Sequence, residues 1–182
     1  MHDKKIVVLG VGNILEKDDG IGVYATSYLD ANFTCKPEVQ FINGGVEGIN
    51  LLNTFLDNDQ IIILDTIMLD DEPGSIYNIP SHELSGLGVN SGGAHEVGVL
   101  QVLEIIELLG HEMPESNIIG IVPEQVTFEM GLSECLHVRF ENYINTVIHY
   151  LEACGIETIA NEESNSLKRI IQHFQHPELL RL

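Results

Sequence analysis

The sequence predicts a three-layer α/β/α sandwich, in which a mainly parallel, twisted sheet of about five strands is covered by helices on both faces. Two patterns indicate this fold class: strand-like and helical segments alternate along the chain, and the strand-like runs are apolar at successive positions. Successive apolar residues are typical of strands that are buried on both sides. One strand is expected to be antiparallel, because the connection before it is too short for a helical crossover.

The first part of the chain contains three predicted strands and two predicted helices. Each strand is short and apolar, and glycines punctuate the turns between elements. In chain order the elements are a strand at Lys5–Gly10, a helix at Gly20–Phe33, a strand at Val39–Asn43, a short helix at Gly48–Leu56 and a strand at Gln60–Asp65.

The second part begins with the antiparallel strand, which follows an Asp-Glu-Pro-Gly turn signal and is expected at or near an edge of the sheet. A loop rich in glycine and serine then precedes the next helix. The predicted elements are a strand at Ser75–Ile79, a loop at Leu84–Ala94, a helix at Glu96–Leu109, a strand at Asn117–Val122 and a helix at Ser133–Cys154.

The chain is predicted to form a single α/β domain over residues 1–160, followed by a C-terminal amphipathic helical extension over residues 161–182. In the extension, Leu167, Ile170, Ile171 and Phe174 recur at helical spacing, so they share one helix face. That face can pack on the domain or on a partner. Packing on the domain is the favoured expectation.

Acidic residues dominate the charge. Lysine and arginine number 8 and aspartate and glutamate number 28, which gives a formal net charge of −20 at pH 7. This balance argues against nucleic acid or an anionic membrane surface as a partner, because phosphate groups bind to basic surfaces. Cations and basic peptides remain plausible partners, and part of the charge can serve solubility alone.

Cysteine usage and hydropathy predict a cytoplasmic protein. Cys35, Cys135 and Cys154 are odd in number and widely spaced, which fits reduced thiols better than a disulfide framework. The N-terminus lacks a long apolar segment of the secretory type, and no run of about 18 apolar residues is available to span a membrane. No membrane insertion is expected.

Polar residues collect where the predicted strands end. In a parallel sheet the carboxyl ends of the strands meet at one edge, and ligands bind in the crevice outside that edge. We therefore expect a functional site there. The residues at this edge are Asp18 and Asp19 after the first strand, Asn43 at the end of the second, Asp65 at the end of the third, His95 after the glycine-rich loop, and Glu124 after the last strand.

Two of these carboxylates and the histidine form a candidate metal site. Asp19, Asp65 and His95 offer oxygen and nitrogen donors, a mixed set that suits nickel or zinc and leaves coordination positions open. Each residue also has a structural alternative. Asp19 can cap the following helix, Asp65 can satisfy N–H groups of a loop, and His95 can cap or pack. Asp18 is expected to cap a helix or face solvent rather than bind metal.

Other kinds of site fit the sequence less well. The turn after the first strand lacks the third glycine of a dinucleotide-binding loop, because Leu15 occupies that position. The neighbouring acidic residues would also repel a pyrophosphate. The sequence contains no Gly-x-Ser-x-Gly elbow for a serine nucleophile, and no cysteine lies in a glycine-rich turn near a strand end.

Five motifs together resemble those of the [NiFe]-hydrogenase maturation endopeptidases, in order and at compatible spacing over residues 5–155. The N-terminal signature is Val-Leu-Gly-Val-Gly-Asn-Ile-Leu-x-x-Asp-Asp-Gly-Ile-Gly-Val. The others are Asn-Gly-Gly-x-x-Gly, Ile-Ile-Ile-Leu-Asp, Gly-Ala-His-Glu-x-Gly, and Ile-Gly-Ile-Val-Pro-Glu followed by Gly-Leu-Ser. They span 8–23, 43–48, 61–65, 93–98 and 119–133.

The resemblance implies an endopeptidase whose partner is the nickel-loaded precursor of a [NiFe]-hydrogenase large subunit. Enzymes of this family remove a short C-terminal extension from that precursor. Carried over to this chain, the metal-contacting and catalytic set is Asp19, Asp65 and His95. Nickel would be bound through the substrate or recognised in it, with zinc or another divalent ion as a possible surrogate.

This chain departs from the family at two places. Asn43 stands where many members carry aspartate, which puts any acid–base or substrate-binding role of that position in doubt. The tail beyond about residue 156 is longer than in compact members. Two rival functions remain open at this stage: a non-catalytic, metal-dependent chaperone of the precursor, and a small-molecule hydrolase on the same fold.

Overall fold

Seven strands and five α-helices make up this computed structural model, which describes residues 4–86 and 94–178, with side chains described at 4–83 and 99–178. The strands are β1 (Ile6–Val11), β2 (Phe33–Lys36), β3 (Val39–Gly45), β4 (Gln60–Thr66), β5 (Ile76–Pro80), β6 (Glu115–Ile121) and β7 (Glu157–Ala160). The helices are α1 (Ile21–Asn32), α2 (Leu52–Leu56), α3 (Ala94–Leu108), α4 (Glu134–Ala153) and α5 (Leu167–Gln175).

The main sheet has the strand order β3-β1-β4-β6-β5. The first four strands of that order are mutually parallel, and β5 pairs antiparallel with β6 at the edge. The predicted fold class and the antiparallel edge strand are thus confirmed. After β1 the chain crosses to β3 on one side, whereas after β4 it continues to the edge strand β5 and then to β6 on the other side. A ligand crevice is expected outside the carboxyl ends of β1 and β4, where the connections diverge.

Alternate residues of the central strands pack on opposite faces of the sheet. Ile6 and Val8 of β1 belong to the core cluster that includes α1, α4 and α5. Val7 and Leu9 belong to the cluster that includes α2 and α3. Because both faces of β1 are buried, its residues must all be apolar or small, which explains the absence of alternation in the sequence.

A second, two-stranded sheet was not predicted. β2 and β7 pair antiparallel, with Phe33 opposite Ala160 and Lys36 opposite Glu157. The predicted helix Gly20–Phe33 therefore ends one residue earlier, at Asn32, and a 3₁₀ turn at Lys17–Gly20 precedes it. The pairing draws Phe33 into an extended conformation and ends the helix there.

The predicted loop at Leu84–Ala94 is only partly described. Residues 84–86 belong to a 3₁₀ helix, Ser81–Gly86, which follows directly from β5, so this part of the loop prediction was wrong. Residues 87–93 lie outside the described ranges. The next helix begins at Ala94, close to the predicted start at residue 96.

The C-terminal helix packs on the domain, as expected from its apolar face. Ile170 and Ile171 are buried in the cluster formed with α1 and α4. The rings of Tyr24 and Phe174 meet edge to face with centroids 5.6 Å apart. The division of the chain into a domain and an extension at residue 160 stays a prediction.

In the described ranges, every helix lacks the combination of length and apolar character that crossing a bilayer requires.

Candidate functional site

The turn after β1 brings the backbone close to two carboxylates. Gly12 has a φ of 128°, and its N–H donates a 2.9 Å hydrogen bond to the carbonyl of Gly45 at the end of β3. A Cβ atom at Gly12 would lie 1.9 Å from the carbonyl oxygen of Asp19 and 3.7 Å from Oδ1 of Asp65. Only glycine fits this position, because both its conformation and its surroundings exclude a side chain.

Asp19 lies in the 3₁₀ turn before α1 and is 5% exposed. Its Oδ2 accepts a 2.9 Å hydrogen bond from the backbone N–H of Asn13, and its Oδ1 accepts a 3.2 Å bond from the Thr66 hydroxyl. These bonds connect the carboxylate with the turn after β1 and with the end of β4. A buried carboxylate with such donors is held in one orientation.

Asp65 is the penultimate residue of β4 and is 3% exposed. Its Oδ1 accepts a 2.7 Å hydrogen bond from the backbone N–H of Thr66. The carbonyl oxygen of Asp65 lies 3.4 Å from the hydroxyl of Tyr143, which also donates to the carbonyl of Ile119 at 2.6 Å. The hydroxyl of Tyr143, a residue of α4, thereby contacts the neighbouring strands β4 and β6.

Burial raises the pKa of the Tyr143 hydroxyl well above its usual value, and the nearby charge of Asp65 raises it further. Tyr143 is therefore a neutral hydrogen-bond donor throughout the physiological range. Its hydroxyl holds the carboxyl end of β4, which carries Asp65, beside β6.

Thr66 connects the two candidate carboxylates and was missed by the sequence analysis. Its backbone N–H contacts Asp65 and its hydroxyl contacts Asp19. The residue is buried. The one sequence signal was its position directly after Asp65 at the carboxyl end of a strand, and threonine at such a position is also common without any role in a site.

Asp18 is fully buried, so the expectation that it caps a helix or faces solvent was wrong: its carboxylate accepts from backbone N–H groups of the connection between β6 and α4. Its Oδ2 accepts hydrogen bonds from the backbone N–H groups of Glu124 at 3.0 Å and Gln125 at 2.8 Å. Its Oδ1 accepts one from Ser133 at 2.6 Å. Ser133 is the N-cap of α4, so Asp18 ties the turn before α1 to the whole connection between β6 and α4.

The other polar residues predicted at this edge are more peripheral. Asn43 is exposed, and its side-chain amide donates a 2.9 Å hydrogen bond to the hydroxyl of Ser27. An aspartate at that position would have to accept this bond, so the substitution reverses the polarity of the contact. Glu124 is exposed, and it is its backbone N–H that contacts Asp18.

His95 lies in the first turn of α3, and its side chain falls outside the described residues. Its convergence with Asp19 and Asp65 therefore stays a prediction. Among the side chains at 4–83 and 99–178, no group of three or more histidines, cysteines, aspartates and glutamates is placed to hold a metal ion. This result concerns a set without His95, so the predicted three-residue site is neither assembled nor excluded by it.

A family model described as hydrogenase maturation protease matches residues 23–150 of the chain. The chain is 30% identical over 159 residues to the hydrogenase 2 maturation protease of Escherichia coli, with 87% of this chain and 97% of that protein covered. It is also 28% identical to a hydrogenase expression/formation protein of Thiocapsa roseopersicina, over 97% of this chain and 80% of that protein.

Solved structures show the same likeness. The hydrogenase maturating endopeptidase HybD from Escherichia coli superimposes with a TM-score of 0.80 at 29% identity, covering 88% of this chain and 99% of that one. A maturation protease from Thermococcus kodakarensis superimposes with a TM-score of 0.65 at 23% identity, which shows a shared fold.

Proposed function

The chain belongs to the hydrogenase maturation protease family, and we propose that it removes the C-terminal extension from the nickel-loaded precursor of a [NiFe]-hydrogenase large subunit. It is an endopeptidase and hence a hydrolase. The observation that carries the proposal is the pairing of two buried carboxylates, Asp19 and Asp65, through Thr66 at the carboxyl edge of the sheet.

In this proposal Asp19, Asp65 and His95 contact the nickel ion that arrives with the precursor. The donor chemistry fits, because carboxylate oxygens and an imidazole nitrogen suit nickel, and zinc or another divalent ion can act as a surrogate. Asp19 and Asp65 are 5% and 3% exposed, so water screens their charges poorly and they attract a cation strongly. A metal held jointly by enzyme and substrate would fix the position of the peptide bond to be cut.

Two routes to hydrolysis fit this arrangement. In one, the substrate's nickel polarises the scissile carbonyl or lowers the pKa of a water molecule. In the other, Asp19 or Asp65 removes a proton from the attacking water as a general base. In the first route the carboxylates would hold the metal, and in the second one of them takes the water's proton. In both routes the water's hydroxyl bonds to the carbonyl carbon, the C–N bond breaks and a proton goes to the leaving amine.

The cytoplasm is the proposed compartment. Cys35, Cys135 and Cys154 are free thiols, the state that a reducing compartment maintains. The precursor is proposed to be met there, before any further assembly of the hydrogenase.

The test is to incubate the purified protein with a nickel-loaded precursor and with the same precursor made without nickel, and to measure intact masses. Shortening of the nickel-loaded form, with release of a C-terminal peptide, is the expected result. Binding of the precursor without any released peptide would instead identify a chaperone.

The variants Asp19→Asn, Asp65→Asn and His95→Ala should each lower the cleavage rate by about a hundredfold or more, a loss typical of removing a catalytic group. Asp30→Asn is the matched control, because Asp30 is an exposed carboxylate on α1, the helix that follows Asp19. Wild-type rates for Asp19→Asn and Asp65→Asn would disprove their assignment to the site.

A further inference from the structure

Three exposed apolar side chains lie beside the candidate site, and we call them the apolar rim: Leu15, Val126 and Phe128. Their exposed fractions are 45%, 48% and 87%. Leu15 belongs to the turn after β1, and the other two belong to the connection between β6 and α4. Three exposed apolar side chains on two adjoining connections, unlike a single exposed one, mark a candidate contact surface.

The two connections that carry the apolar rim lie side by side because their backbones pair. Glu16 and Glu129 form an isolated parallel bridge, and Leu15 and Phe128 each immediately precede a member of that bridge. The backbone N–H of Lys17 donates to the carbonyl of Glu129 at 2.6 Å. The side chains of Lys17 and Glu129 form a 2.7 Å ion pair above the same bridge.

The rim is held in place from below by Asp18. The backbone N–H of Asp18 donates to the carbonyl of Gln125 at 3.2 Å, and its buried carboxylate accepts from the N–H groups of Glu124 and Gln125. Val126 follows directly. Phe128 is therefore displayed by a fixed backbone, and a partner that binds it does not have to order this segment first.

The rim adjoins the groups proposed to cut the substrate. Asn13, whose N–H holds the Asp19 carboxylate, lies two residues before Leu15, and Asp19 lies in the turn that is paired to residues 125 and 129. A polypeptide whose end reaches Asp19 and Asp65 would pass this surface. Glu16, Glu124 and Glu129 lie within two positions of a rim residue in the chain, and Glu129 is paired with Lys17.

Resting on the proposed function, we propose that the apolar rim docks the precursor protein, through an apolar segment of the precursor flanked by basic side chains. The apolar character of Leu15, Val126 and Phe128 matches the first feature, and the neighbouring glutamates match the second. The net charge of −20 favours a basic partner surface over an acidic one. Contact here would select the precursor before its terminus enters the site.

The experiment compares Phe128→Ala with Leu108→Ala. Leu108 is the matched control, because it is 85% exposed, like Phe128 at 87%, but it lies in the last turn of α3. For each variant, initial rates of precursor cleavage are measured over a range of precursor concentrations. Phe128→Ala should lower kcat/KM at least about fivefold, mainly through a higher KM, as for an interface anchor.

Leu108→Ala should keep the wild-type kcat/KM. Raising the salt concentration should raise KM for the wild type, because exposed charges are screened. Cleavage by the wild type together with an unchanged KM in Phe128→Ala would overturn the docking surface and leave the proposed function intact. Absence of cleavage by the wild type would overturn the proposed function itself.

Self-association is the competing use of this surface. Sedimentation of the wild type and of Phe128→Ala distinguishes it. A wild-type dimer that becomes a monomer in the variant, with KM for the precursor unchanged, would assign the rim to a second copy of the chain and overturn the proposal.

Discussion

Thr66 and Asp19, which are 47 positions apart in the chain, are joined by a 3.2 Å hydrogen bond from the threonine hydroxyl to Oδ1 of the carboxylate. The same residue holds Asp65 through its backbone N–H at 2.7 Å. Thr66 therefore sets the position of one candidate carboxylate relative to the other. Such a residue acts on the reaction through its neighbours.

Thr66→Val removes the hydroxyl and keeps the shape of the side chain. We expect the cleavage rate to fall roughly ten- to a hundredfold, because a misplaced carboxylate loses its productive geometry. The variant Thr66→Ser retains the hydroxyl and should recover most of the rate. Equal rates for the valine and serine variants would show that the hydrogen bond to Asp19 has no part in catalysis.

Asp18→Asn tests the buried carboxylate that joins three backbone segments. Asparagine has a single acceptor oxygen in place of two. Its NH₂ group would therefore face at least one of the three backbone N–H groups, so that two donors meet without an acceptor. The free energy of unfolding should fall by about 2–4 kcal/mol, as for a buried polar network left unsatisfied. Chemical denaturation measures this loss, and Asp30→Asn at an exposed site should change it by less than about 0.5 kcal/mol.

Gly12→Ala and Gly45→Ala separate backbone strain from steric clash. Both glycines have positive φ values, 128° and 50°. A Cβ atom at Gly12 would lie 1.9 Å from the Asp19 carbonyl, whereas one at Gly45 would meet nothing within 4 Å. Gly45→Ala should cost about 1–2 kcal/mol of stability and leave cleavage intact.

Gly12→Ala should cost more stability than Gly45→Ala and should also abolish cleavage, because the clash displaces the turn that carries Asp19. Denaturation and cleavage assays on the same preparations distinguish the two effects. A fully active Gly12→Ala protein would contradict the geometry of this turn.

Tyr143→Phe tests the buried hydroxyl behind the site through its pH dependence. The pKa of Tyr143 is raised in the folded state, so above about pH 10 the unfolded chain releases a proton that the native protein keeps. The contribution of this group to stability is therefore constant below that pH and declines above it, by up to about 1.4 kcal/mol per pH unit. In the phenylalanine variant, the free energy of unfolding measured by urea denaturation should fall less steeply between about pH 10 and 11.

Ile170→Ala tests how firmly the C-terminal helix is attached. The side chain is fully buried against the core, so its truncation should lower the free energy of unfolding by about 2–5 kcal/mol. Ile159→Ala is the control, because Ile159 is 37% exposed on β7, and its loss should be less than about 1 kcal/mol. Equal losses would indicate that α5 contributes no more than a surface strand.

The sequence predicted the parts of the fold that depend on long apolar runs. Ile61, Ile62 and Ile63 are all buried in β4, as expected of a central strand covered on both faces. The small β2–β7 sheet carries no such signal. Thr34 and Lys36 of β2 are exposed, and Thr34 finds its hydrogen-bond partner Asn161 across 127 positions of chain.

At the site, strand order brought Asp19 and Asp65 to one edge, which the pattern of parallel strands could predict. Which of the two adjacent aspartates, Asp18 or Asp19, contacts Thr66 could not be predicted, because the sequence alone does not distinguish their surroundings. Their contacts differ: Asp18 binds the backbone at residues 124, 125 and 133, and Asp19 contacts Asn13 and Thr66. The contact between the Thr66 hydroxyl and Asp19 depends on the register in which β1 and β4 pair, and no local sequence pattern predicts that register.

The bond between Asp18 and the Ser133 N–H spans 115 positions of the chain. Ser133 is the last of the three amide donors of Asp18 along the chain, so the set is complete only when the chain extends to that residue. A chain that ends between residues 125 and 133 contains the donors for Oδ2 of Asp18 but not the donor for Oδ1. The turn that carries Asp19 is therefore fully supported only in a polypeptide that reaches the N-terminus of α4, which makes the second half of the chain a structural requirement of a turn near its beginning.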